Sequence, residues 1–266
     1  MIKLGRKYAW RKGNRRVVVP FPEVISDDMK ATSLDKVTVV GYHTDDVFYT
    51  NEARRMMVSA NRLGIDVKIT VIPNKGGWEA NTSFKAAYLQ QERDLVSGPM
   101  LYVDVDAVFH RSPLKFLSRL DCDIAVYYDL GDGHLVSATL FLQDTVAVRD
   151  LLAEWNRQCK AHPEIWDQQV LQSIIEKDQI AAQPRYKVYQ LPVGFCWIFD
   201  REDNLRARQQ KVYIEQLQAG RIVSEELRSK GKWLTIRKSK VQRRIDRINE
   251  IELILFHHEK CFGSNR

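Results

Sequence analysis

Paired cysteines are missing from this chain. The four present, Cys122, Cys159, Cys196 and Cys261, are spaced by 37, 37 and 65 residues. That is too wide for a zinc knuckle or a redox pair, so they read as reduced, mostly buried thiols of a cytosolic protein. Long apolar runs are missing as well. None approaches the ~18 residues of a membrane span, and no transmembrane segment is expected. The first residues, MIKLGRKYAWRKGNRR, are basic but contain no apolar stretch of the kind a secretory leader needs. Internal repeats and low-complexity linkers are absent too, and the near-average composition excludes a wholly disordered chain, a collagen and a coiled coil.

What is there is ordinary globular material. Apolar residues make up 44% of the 266 and charged residues 28%, enough to bury a core without staples. The net charge of +7 is uneven. Residues 1–16 hold seven Lys/Arg and no acid; residues 230–247 hold eight Lys/Arg and one acid, Asp246. Each stretch carries +7, so the rest of the chain stands at −7. Two basic patches on an acidic body suit a phosphate-rich partner or a solvated surface.

Val37–Gly41 is a short continuous apolar run, as a buried parallel strand requires. Tyr49, Ala53, Met56, Met57, Ala60 and Leu63 share a helical face, with Thr44, Asp45 or Asp46 as the cap and Gly64 as the stop. Val67, Ile69 and Val71 alternate as a second strand. A helix is predicted over about 81–95, and a third strand at Met100–Val103. Ile124–Tyr127 and Leu135–Leu142 read as strands. Val148, Leu151, Leu152, Trp155 and Cys159 form an amphipathic helix capped by Asp144, and another helix follows Trp166. Residues 201–218 are expected to be helical, Val241, Ile245 and Ile248 fall at helical spacing, and Ile251, Leu253 and Leu255 alternate as a last strand. The order predicts an α/β fold: a mostly parallel central sheet with helices on both faces. Ligands of such sheets bind beyond the carboxyl ends of the strands.

Two acids stand there. In Leu101-Tyr102-Val103-Asp104-Val105-Asp106, an extended chain points Asp104 and Asp106 the same way, with Cα atoms about 6.5–7 Å apart. Carboxylates among apolar residues are costly unless they hold a cation or hydrogen bonds. Mg²⁺ or Mn²⁺ fits a pair of carboxylates whose coordination shell is completed by water and substrate phosphates.

LYVDVDAVF resembles the Asp-x-Asp signature of GT-A-fold glycosyltransferases, which use nucleotide-diphospho-sugars. Further segments resemble the family in order: Val39-Val40-Gly41-Tyr42 with Thr44, Lys85 on the helix ahead of Asp-x-Asp, Ser137-Ala138-Thr139 on the strand beside the donor sugar, Asp167-Gln168, the acceptor-side segment Leu191 to Trp197, and a late histidine, His257 or its neighbour His258. The resemblance spans roughly residues 37–260. It implies a GT-A-like (Rossmann-like) domain over 37–266 behind a basic segment 1–36, with a basic, partly helical insertion at about 201–250.

It also implies roles. Asp104, Asp106 and His257 would hold Mn²⁺ or Mg²⁺. Tyr42, Thr44, Lys85, Asp104, Ser137 and Thr139 would bind the nucleoside-diphosphate-sugar, with UDP as the expected nucleotide. Asp167 and Gln168 would support the reacting sugar, with retention of configuration. Some phage members of the family decorate hydroxylated DNA bases, so the basic stretch suggests a nucleic-acid acceptor gripped by Trp233, Arg243, Arg244 and Arg247. The location expected is cytoplasmic, or host cytoplasm for a viral protein. Two other readings compete. A metal-dependent nuclease or phosphotransferase would leave the late histidine and Asp167-Gln168 idle, and a non-catalytic nucleic-acid-binding protein would leave Asp104 and Asp106 merely structural.

Overall fold

The computed structural model describes residues 19–74, 84–201, 211–220 and 235–262, with side chains of the last helix described over 240–256. Six strands form the main sheet: β1 Thr38–Thr44, β2 Val67–Ile72, β3 Met100–Val103, β5 Ile124–Tyr128, β6 Leu135–Leu142 and β7 Val188–Gln190, in the order β2-β1-β3-β6-β5-β7. All run parallel except β6, which lies antiparallel to both its neighbours. A second sheet of β4 Ala107–Phe109, β8 Trp197–Ile198 and β9 Ile214–Gln216 has β9 at its centre. The helices are α1 Val47–Asn61, α2 Lys85–Leu95, α3 Leu114–Leu117, α4 Val146–Ala161, α5 Asp167–Gln179 and α6 Thr235–Phe262.

Both faces of the centre of the main sheet are covered, which is why β3, β5 and β6 are buried almost throughout. Leu101 and Val103 pack with Ala53, Met56 and Ala60 of α1 on one face. Met100 and Tyr102 pack with Leu89 of α2, Trp155 of α4 and Leu171 of α5 on the other. Asp46 caps α1 by accepting from the Tyr49 amide at 2.9 Å, and Gly64 takes the left-handed φ of 68° that ends its last turn.

Three expectations are corrected. Thr145, not Asp144, caps α4, accepting from the Val148 amide at 3.2 Å; Asp144 bonds Arg149 and the Gly98 amide instead. Residues 214–216 are strand β9, not helix, while 202–210 lie outside the described residues. Ile251–Leu255 belongs to helix α6, not to a last strand. Alternation at 251, 253 and 255 competes there with a helical stripe of Ile248, Ile251 and Leu255. Leu253 is 64% exposed while Ile251 and Leu255 are buried, so the helical period wins. Phe21, Val108, Leu217, Ile251 and Leu255 form a small third core, so residues before Val37 pack against the body. No helix among the described residues is long and apolar enough to cross a membrane.

Gly194 sits where a Cβ would lie 2.0 Å from the Lys211 carbonyl oxygen, and its own carbonyl accepts from the Tyr213 amide at 2.7 Å. Gly194→Ala is expected to lower stability by about 1–3 kcal/mol through overpacking against backbone that cannot yield. A urea-denaturation midpoint unchanged from wild type would contradict that tight approach.

Candidate active site

β3 ends one residue before Asp104, and the chain turns there at once. The Ala107 amide donates to the Asp104 carbonyl at 3.1 Å. Asp104-Val105-Asp106 is therefore a turn joining the two sheets, not the extended run expected, and it leaves the acids near enough for the Asp104 charge to act on Asp106.

β6 supplies the facing wall. Val126 of β5 pairs with Leu140 of β6, but Tyr127 pairs with Val136, so Ser137, Ala138 and Thr139 bulge without partners on β5. Bulges re-aim side chains beside sites. Here the Ala138 carbonyl takes the Asp104 amide at 2.9 Å, and the Ser137 hydroxyl donates to Asp167 Oδ2 at 3.0 Å. Asp167 opens α5, where a carboxylate suits the helix N-terminus. Its carbonyl is held by Trp155 Nε1 at 2.8 Å.

Lys85, first residue of α2, joins these parts. Its Nζ lies 3.1 Å from Asp104 Oδ1, 3.0 Å from Ser137 Oγ and 3.8 Å from Asp167 Oδ2. It is 5% exposed. Burial alone would lower the affinity of its ammonium for the proton, but Asp104 and Asp167 outweigh that and hold its pKa above the ordinary lysine value. Burial pushes the Asp167 carboxyl up despite Lys85 and Ser137. Tyr102 completes the cluster, donating its hydroxyl to Asp104 Oδ1 at 2.5 Å. Sequence reasoning did not assign Tyr102, although its place two residues before Asp104 on a strand was a usable signal.

Asp106 faces a different neighbourhood. Its Oδ2 accepts the Ala219 amide at 2.6 Å and its carbonyl accepts the Leu217 amide at 2.9 Å. Burial, then the Asp104 charge, raises its pKa to about 6 against the pull of the Ala219 amide. Two carboxylates on one turn, one of them reluctant to ionise, would offer hard-oxygen donors to a divalent cation. Asp104, Asp106 and Gln168 keep partial exposure on this side.

The remaining candidates fall elsewhere. Tyr42 is core, its ring packed against Tyr88 at 4.8 Å, Phe84 at 5.9 Å and Tyr102 at 6.2 Å. Thr44 ends β1 and donates to Asp46, supporting the cap of α1. Thr139 is fully buried and accepts from Gln216 Nε2 at 3.1 Å, tying β6 to β9. His257 and His258 lie on α6 rather than beyond a strand, and their side chains, like Trp233, are outside the described residues.

The proposed phosphate-binding arginines are largely internal. Arg244 is 1% exposed and pairs with Glu52 of α1 at 2.7 Å; Arg247 is 5% exposed and pairs with Glu215 of β9 at 2.7 Å. Both are consumed in docking α6 to the body, so neither faces an acceptor. Arg243 keeps partial exposure and reaches Asp200 at 3.3 Å. Asp129, Asp132 and His134 also cluster within metal-ligand reach of one another, but Asp129 is already engaged by Arg201 and the Gly131 amide.

A mostly parallel six-stranded sheet with one reversed strand, flanked by helices on both faces, is the architecture of GT-A-fold glycosyltransferases. The profile of the family described as nucleotide-diphospho-sugar transferase matches residues 98–221, a little under half of the chain, from just before β3 through the Asp106 contacts. The fold is shared with a glycosyltransferase involved in the glycosylation of the major capsid of PBCV-1: 9% identity, 78% of this chain and 98% of that one covered, TM-score 0.54. Looser similarity extends to the bifunctional glycosyltransferase WbbM (12% identity, 68% and 45% covered, TM-score 0.49). It also extends to the galactosyltransferase LgtC in complex with donor and acceptor sugar analogues (12% identity, 67% and 86% covered, TM-score 0.45). No curated protein matches the chain.

Proposed function

We propose that the protein is a divalent-metal-dependent glycosyltransferase that moves a sugar from a UDP-sugar to a hydroxyl acceptor with retention of configuration. The observation that carries this reading is the convergence of Lys85, Asp104, Ser137 and Asp167, from four separate elements, at the carboxyl end of β3. Asp104 and Asp106 would hold the cation, Mn²⁺ or Mg²⁺. When bound, it neutralises charge on the departing diphosphate as a Lewis acid.

The chain's own residues do the rest. Lys85 holds Asp104 and Asp167 in place as their shared counter-charge. Asp167, with the Gln168 amide beside it, supports positive charge growing at the anomeric carbon. The bond from that carbon to the diphosphate oxygen breaks, and the bond to the acceptor oxygen forms on the same face. The leaving phosphate takes the acceptor proton, so no separate base is required.

Asp167→Asn is expected to cut kcat by roughly 10²-fold while changing donor KM little, because charge at the anomeric carbon develops mainly in the transition state. The reverse pattern, an unchanged kcat with raised KM, would make Asp167 a ground-state donor contact. Proton NMR of the product's anomeric coupling tests retention.

With Arg244 and Arg247 internal, the charge left for a nucleic-acid acceptor lies in residues 1–16 and in Lys230, Lys232, Arg237, Lys238, Lys240 and Arg243. That reading expects duplex binding to fall steeply with salt. A flat response in a fluorescence titration removes it, and cutting of the DNA in Mn²⁺ buffer would favour a nuclease.

A further inference from the structure

Gln218 is the one non-glycine residue with positive φ among the described residues, at 60°. A side chain in that left-handed region is strained and persists only where its surroundings force it. The surroundings are specific. The residue before it donates its amide to the Asp106 carbonyl at 2.9 Å, and the residue after it donates its amide to Asp106 Oδ2 at 2.6 Å. A left-handed residue between them turns both amides onto one aspartate. The segment Leu217–Ala219 is a strap across Asp106.

The strap is itself held from behind. Arg244 of α6 donates through Nε to the Leu217 carbonyl at 2.7 Å. The same guanidinium meets Glu52 of α1 at 2.7 Å and stands 5.6 Å from the Phe48 ring centre. Glu52 is also paired with Arg55, which reaches on to Glu252 of α6 at 2.6 Å. α6 thus meets α1 through Arg54, Arg55 and Arg244, of which only Arg244 is bonded to the strap.

We propose that Arg244 is a positioning residue for Asp106. By anchoring the Leu217 carbonyl it holds the strained strap, whose Leu217 amide pins the Asp106 main chain and whose Ala219 amide fixes the carboxylate in the orientation that receives a divalent cation. This rests on the reading of Asp106 as a metal ligand. Groups that orient metal ligands without touching the metal typically change metal affinity 10- to 100-fold when altered.

The test is Mn²⁺ binding by the full chain without donor, read from loss of the free-ion electron paramagnetic resonance signal, with folding checked by circular dichroism. Arg244→Lys keeps the charge but cannot both pair with Glu52 and reach the Leu217 carbonyl. It is expected to weaken Mn²⁺ binding at least tenfold. Gln218→Val, a β-branched residue at positive φ, disturbs the strap without touching α6 and is expected to do the same. Arg55→Lys loosens the same helix–helix contact but not the strap, and is expected to bind as wild type. Asp106→Ala should lose most of the affinity.

Wild-type binding by both Arg244→Lys and Gln218→Val overturns the proposal, as does equal weakening by Arg55→Lys. Should Arg244→Lys fail to fold, Gln218→Val decides alone. Wild-type binding by Asp106→Ala would instead overturn the metal reading beneath it, and so tells the two failures apart.

Discussion

Asp106→Ala is expected to abolish sugar transfer, by roughly a thousandfold or more, with the fold intact. A cation that neutralises the departing diphosphate supplies several kcal/mol to the transition state, and 1.36 kcal/mol corresponds to a factor of ten. The fold should survive because the acid contributes little to it. Burial and the Asp104 charge disfavour its ionised form, raising its pKa to about 6, so its removal relieves a repulsion. Its main-chain carbonyl still accepts from Leu217 in the variant. Turnover with saturating Mn²⁺ and donor, alongside a melting temperature, checks both halves. Near-normal turnover would mean that the cation, if used, is held elsewhere.

Lys85→Met is expected to do the opposite to the balance of effects: it should damage the fold as well as the chemistry. The ammonium is the shared counter-charge of Asp104 and Asp167. Removing one partner of a buried ion pair costs about 3–5 kcal/mol, because the other charges are left uncompensated. Asp167, already raised by burial, would rise further above its unfolded value. A raised carboxyl binds its proton more tightly in the folded chain, so the deficit should be largest near neutral pH and shrink as pH falls towards about 4. Asp167→Asn in the same chain should restore part of the loss, since it removes the stranded charge. Urea denaturation at the two pH values measures this. A Lys85→Met protein as stable as wild type at neutral pH would mean that the ammonium is not the counter-charge of the two acids.

Much of the site was legible because its parts sit on elements with clear periods. The apolar run of β3 ending at Asp104 and the helix near Asp167 followed from local pattern; Lys85, singled out by the family resemblance within a helix expected over about 81–95, stands at the head of α2, and the structure brings the side chains of Asp104, Asp167 and Lys85 into one cluster. What was illegible depends on contacts distant in sequence. The turn at Asp104–Asp106 is fixed by β4 pairing with β9 more than a hundred residues later. The bulge of Ser137–Thr139 arises from register against β5, which no single strand announces. Arg243, Arg244 and Arg247 looked like one basic face because sequence shows charge and not partners. Glu52 and Glu215, which neutralise two of them, lie on α1 and β9. The last apolar residues satisfied both a strand and a helix period, and only packing on Phe21, Val108 and Leu217 chose between them.

The most direct test of the account is release of UDP from a UDP-sugar panel by the purified full chain, with Mn²⁺ and again with the cation chelated. The account predicts Mn²⁺-dependent release for at least one sugar, lost in Asp106→Ala and strongly slowed in Asp167→Asn. Release unaffected by chelation and by both substitutions would contradict it, because the turn after β3 and the head of α5 would then not be the site of transfer.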